Sequence, residues 1–175
     1  MIDATTYDNA LLITREDIDR ECRPCAAQDA LVDRCIEEAQ NLDIIPAVGA
    51  EWWLRVVNRE GDNEAALLWD GGIYTASDGE QRILAGLRKA LLYYAYARIV
   101  RSSGGVVTRF DFVVKADQYS DSADAAAKAQ AYNAAFATAD GYLTQCLAFI
   151  NDGSACGKSK RKIVNNRIAI KKIGK

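Results

Sequence analysis

Two cysteines spaced as Cys22-Arg23-Pro24-Cys25 are the first residues whose types and spacing could do chemistry. A thiol at a helix start loses its proton easily and can exchange with disulfides. That chemistry calls for the pair to follow a strand in a βαβ unit, and the segment before Cys22 reads as helical. The same pair could supply two ligands of a tetrahedral zinc, completed by Cys35, Cys146 or Cys156. No second close pair exists and the chain has no histidine, so the five thiols read as free, partly buried and metal-free.

A second candidate, Gly153-Ser154-Ala155-Cys156-Gly157-Lys158-Ser159, looks like a phosphate-binding loop. Three residues separate its glycines where four are needed, and Asp152 stands where the missing glycine would be. A carboxylate there would repel phosphate, so no nucleotide or other cofactor is expected. The absence of histidine also removes the commonest acid/base near neutral pH, and with it triads and most catalytic metal chemistry. The acidic residues are spread over helix faces and read as solvated. A protein that is not an enzyme is the expectation.

The elements that would have to position such groups are mostly helices. Thr14, followed by Glu16 and Asp17, starts a short helix that ends near Pro24. Ala30, Leu31, Ile36 and Ala39 recur at helical spacing from about residue 26 to 42, with Asp33, Glu37, Glu38 and Gln40 among the polar positions. Pro46 should stop that helix within Asp43-Ile44-Ile45-Pro46. A helix from about 49 to 59 carries Trp52, Trp53, Val56 and Val57, and after the break at Gly61-Asp62-Asn63 a short one covers 64 to 69.

Asp70-Gly71-Gly72 and Ser77-Asp78-Gly79 bracket Ile73-Tyr74-Thr75, a turn-rich or extended loop. From about 80 to 101, Ile83, Leu84, Leu87, Leu91, Tyr94 and Ile99 mark a long, central apolar helix. The run Val106 to Val114 alternates and is β-branched or aromatic, which predicts a strand. Ser120-Asp121-Ser122 then caps a second long helix, to about Asn151, with Ala126, Ala129, Tyr132, Phe136, Leu143, Leu147 and Ile150 on related faces. The fold class is therefore mainly α, an antiparallel helical bundle with a short β segment and an extended C-terminal arm. Its expected core includes Leu31, Ile36, Leu84, Leu87, Leu91, Tyr94, Phe136, Leu143 and Leu147.

A chain of 175 residues, half of them apolar, suits one soluble domain, here residues 1–152, followed by an arm, 153–175. No apolar run approaches a membrane span, no signal peptide is expected at the N-terminus, and an odd number of cysteines fits reduced thiols in a cytosolic setting. The charge is uneven. From Gly153 onward there are eight Lys or Arg and no acid, leaving 14 basic against 24 acidic residues before it. Such an arm implies an acidic partner surface or a nucleic acid.

An unpaired strand is a liability in a monomer but can add to a neighbour's sheet in an assembly. The candidate assembly residues are Phe110, Phe112 and Val114 in the strand-like run, and Ile168 and Ile170 in the arm. The arm's cations Lys158, Lys160, Arg161, Lys162, Arg167, Lys171 and Lys172 join them.

Three stretches carry a resemblance. They are 39–54, containing Ile44-Ile45-Pro46-Ala47-Val48-Gly49; the central helix, containing Leu87-Arg88-Lys89-Ala90-Leu91-Leu92-Tyr93-Tyr94-Ala95-Tyr96-Ala97-Arg98-Ile99-Val100; and the connector 104–120 into the last helix. Over about residues 10 to 152 the order and spacing resemble the head-tail connector (adaptor) proteins of tailed bacteriophages, of the Bacteroidetes phage and prophage type. The resemblance implies a virion structural protein, synthesised in the bacterial host cytoplasm, that self-associates into a ring of about twelve subunits. Its partners would be the portal protein and tail or further connector proteins, with DNA only passing through the lumen, no membrane, and no catalytic residues. The rival reading is a small nucleic-acid-binding or regulatory helical module whose arm contacts phosphates.

Overall fold

The computed structural model describes residues 10–22, 27–102, 105–107, 112–114 and 125–154. Within these residues the fold is mainly α. The first helix, α1 (Arg15–Glu21), begins as its sequence demands: the Thr14 hydroxyl accepts the Asp17 N–H while the Asp17 carboxylate accepts the Thr14 N–H at 3.0 Å. Arg88 and Arg20 both reach Asp17, and although burial opposes ionisation of its carboxyl, the Thr14 N–H and these cations hold it below its ordinary pKa.

The next helix departs from expectation. α2 (Asp29–Glu38) does not stop at the proline but widens into a π turn (Ala39–Ile44) and continues as α3 (Ile45–Val48), ending at Gly49 with φ +84°. Proline lacks the N–H that an α-helix needs, and its ring crowds the carbonyl four residues back. In the wide turn the Ile45 N–H reaches the Gln40 carbonyl instead, and the chain passes Pro46 without breaking. Gln40, expected among the polar positions, is fully buried. Its side-chain carbonyl accepts the Leu12 N–H at 2.8 Å and its amide donates to the Ala10 carbonyl at 3.3 Å, which ties the segment before α1 to the π turn.

α4 (Ala50–Val57) and α5 (Asn63–Asp70) follow, joined where the Asp62 carboxylate caps α5 by accepting the Glu64 and Ala65 N–H groups. Arg55 grips Asp62 at 2.7 and 3.0 Å and stacks 4.1 Å over Trp52. That grip, then the Ala65 N–H, lowers the Asp62 pKa to about 2.

The region expected to open the central helix is instead the second half of a hairpin. β1 (Gly72–Thr75) pairs antiparallel with β2 (Gln81–Leu84), and the central helix α6 (Leu87–Ser102) starts only after Gly86. Gly71 and Gly86 set this corner: both have positive φ, and a Cβ on them would lie 2.5 Å from the Leu84 carbonyl and 2.6 Å from that of Trp69. Leu84 is buried as expected, but from a strand. Ile83, expected on the apolar side of a helix, is exposed.

α6 is central. It packs against α1, α2, the π turn, α5 and α7 (Ala125–Ser154), and Leu87, Ala90, Leu91, Leu92, Tyr94, Ala95, Ala97 and Ile99 are all buried. A helix apolar on nearly every side must be covered on nearly every side. Arg101 over Tyr132, Tyr94 against Phe136 and Tyr93 against Tyr142 show that α7 runs antiparallel to α6. Ile36 and Leu143 join the core as expected, while Leu31, Phe136 and Leu147 are half-buried against it. The inward face of α7 is set by Ala135, Ala139, Leu143, Cys146, Phe149 and Ile150, and Ala126 and Ala129 lie outside it, exposed. The capping residues 120–122 fall outside the described residues.

The run 106–114 is not one strand. It folds back as β3 (Gly105–Val107) paired antiparallel with β4 (Phe112–Val114), with Val107 opposite Phe112 and Gly105 opposite Val114. Pairing within the run satisfies backbone groups that a single isolated strand would leave open.

Candidate assembly surface

Two neighbourhoods gather functional-looking groups. The first lies inside, where α2, the π turn, α6 and α7 meet. Arg98 donates to both oxygens of Asp43 at 2.9 and 3.1 Å and to Glu38 at 3.1 Å, while the Tyr94 hydroxyl donates to Asp140 on α7. Burial raises the Asp43 pKa despite Arg98, and burial followed by the Asp140 bond raises that of Tyr94. A carboxylate with both oxygens held by one guanidinium is poorly placed to exchange protons with a substrate. The group is a polar clasp that joins α2, the π turn, α6 and α7.

The thiols point the same way. Cys22, Cys35 and Cys146 are free. Burial, with Glu21 adding to it, pushes Cys22 up to about 12, and burial takes Cys146 to about 12 and raises Cys35. A reactive thiol needs the opposite shift. Cys25 and Cys156 fall outside the described residues, and among the described residues no group of three His, Cys, Asp or Glu could hold a metal.

The second neighbourhood is the surface. The β1–β2 hairpin stands on the end of α7: Tyr74 meets Phe149 edge-on at 4.9 Å, and Trp52 approaches the same ring at 6.3 Å. The Ser77 N–H donates to Asp152 at 3.2 Å, the Ser77 hydroxyl bonds the same carboxylate, and Arg82 pairs with Asp78. The Ser77 bonds hold the Asp152 carboxyl below its ordinary pKa. Period-two alternation therefore turns Tyr74 and Leu84 inward. It turns Ile73 and Ile83, direct cross-strand partners, outward at 66% and 80% exposure.

Of the residues singled out in the sequence, Phe112 and Val114 sit in β4, whose backbone pairs with β3. Phe110, Lys158, Lys160, Arg161, Lys162, Arg167, Ile168, Ile170, Lys171 and Lys172 lie outside the described residues. Sequence reasoning missed the Ile73–Ile83 pair. A turn at Ser77-Asp78-Gly79 flanked by two short alternating runs was the signal for it. It also missed the clasp, because Asp43 and Asp140 are each far in the chain from their partners Arg98 and Tyr94.

Fold and surface together define a mainly α-helical domain built on an antiparallel α6–α7 pair, with a hairpin projecting from one end. The chain belongs to a family of unknown function (DUF6712), whose model matches residues 57–155, from the last residue of α4 to just past the end of α7. No curated protein and no solved structure matches it. No helix among the described residues is long and apolar enough to cross a membrane.

Proposed function

We propose that this chain is a structural subunit of the phage virion, a head-tail connector that closes into a ring between portal and tail. The observation that carries the reading is the outer face of α7. Between Ala129 and Asn151 the only charged side chain is Asp140, and it bonds inward to Tyr94. The exposed positions include Ala134, Ala137, Thr138, Gly141, Thr144 and Ala148. A helix that faces only water normally carries charges there. Small uncharged residues let another backbone approach closely, and among the described residues a Cβ on Gly141 would meet nothing within 4 Å beyond the backbone of its own helix. A repeated subunit contact uses such a face economically, since each copy offers the same patch.

In this reading the portal templates the ring, because many weak contacts gain from a surface that raises effective concentration. DNA passes through the lumen, and the protein has no catalytic task. The test mixes the full-length chain with the cognate portal ring, with and without residues 153–175, and images the product. The expected result is a closed ring on the portal that is weakened by the truncation. A full-length protein that ignores the portal yet binds duplex DNA with steep salt dependence would establish the nucleic-acid module instead.

A further inference from the structure

The Ile73–Ile83 pair is an apolar surface on a two-stranded sheet whose outer edges have no strand partner among the described residues. Backbone groups on such an edge and two adjoining isoleucines together form a site for an added strand. We infer that the occupant is the chain's own C-terminal segment, Arg167 to Lys171, lying as a third strand beside the hairpin. The inference goes beyond the connector reading and does not depend on it.

Four observations select this occupant. The first is where the chain leaves the body. Asp152 is bonded to Ser77 in the hairpin loop, and α7 ends two residues later at Ser154, so the arm departs beside the hairpin. The second is reach: the residues 155–166 span up to roughly 40 Å when extended, and a four-residue strand is only about 13 Å long. The third is pattern. Ile168 and Ile170 alternate with Arg167, Ala169 and Lys171, so a strand here can set both isoleucines on the face that carries Ile73 and Ile83. The fourth is charge. Among the described residues Asp70 and Glu80 are exposed around the hairpin, where Asp78 and Arg82 pair with each other, while the arm has eight cations and no acid. Two hairpins from two copies would instead bring like charges together.

Hydrogen exchange on the full-length protein tests this. In the wild type the amides of β1 and β2 should exchange at least about tenfold more slowly than in an Ile168→Ser/Ile170→Ser variant, with α6 amides equal in both. An Ile73→Ser/Ile83→Ser variant should lose protection over 167–171, again with α6 unchanged. Protection of the wild type should not vary with protein concentration. Equal hairpin exchange in wild type and arm variant would overturn the inference. Protection that grows with concentration would overturn it too, assigning the site to a second copy.

Discussion

Ile99 in α6 and Ile83 in β2 are the same residue type in segments that both look apolar, yet one is 2% exposed and the other 80%. The difference lies in what covers each element. α6 is wrapped by helices on nearly every side, so all its apolar positions find partners. The hairpin has one covered face, toward Phe149 and the core, and period two sends every second residue away from it. Hydrophobicity marks a residue for burial, but layering decides whether it is buried.

The largest effect expected from this contrast is at Leu91, fully buried in the middle of α6. Leu91→Ala should cost about 2 to 5 kcal/mol in urea unfolding, and a loss under about 1 kcal/mol would mean that α6 is not the covered element described here.

The clasp comes next. Arg98→Met should cost about 2 kcal/mol at pH 7, between the values for surface and fully buried pairs, because Asp43 keeps its desolvated carboxylate without a partner. The sign with pH follows from the raised folded-state pKa of Asp43. Between the unfolded Asp value near 4 and that raised value, the folded chain binds more protons, so stability falls as pH rises through this window. Removing Arg98 widens the window. The deficit of the variant should therefore shrink as pH is lowered from 7 toward 4, and a deficit independent of pH would remove Asp43 as its cause.

The smallest effect is the other half of the comparison. Ile83→Thr keeps a β-branched residue on an outward-facing strand position and should change global stability by no more than about 0.5 kcal/mol. A cost like that at Leu91 would show Ile83 to be part of the core.

Much of the architecture was legible because it rests on short-range physics. Thr14 and Asp17 lie three residues apart, so their capping box reads directly from the chain, and the apolar girth of α6 announces its central place. The proline rule failed at Pro46 for a local reason, since a π turn can absorb what an α turn cannot. The start of α6 was misplaced because Gln81 to Leu84 fits either period over so short a span, and the hairpin corner at Gly71 and Gly86 is a contact across fifteen residues. The candidate residues in the arm were chosen from pattern and charge alone, while the outward Ile73–Ile83 pair of the hairpin could be seen only once folded.

By itself, then, the sequence determined a mainly α chain, the order of its helices, the cap of α1, the centrality of α6 and the split between an acidic body and a basic arm. Those properties follow from dihedral preference, apolar period and charge, each expressed within a few residues. Only the tertiary structure decided that Gln40 is buried, that Arg98 joins Asp43, that α7 turns Ala139 and Cys146 inward, and that Ile73 and Ile83 stay outside. Burial is a property of the surface that arrives from elsewhere in the chain, and no residue's own neighbours specify which surface that will be.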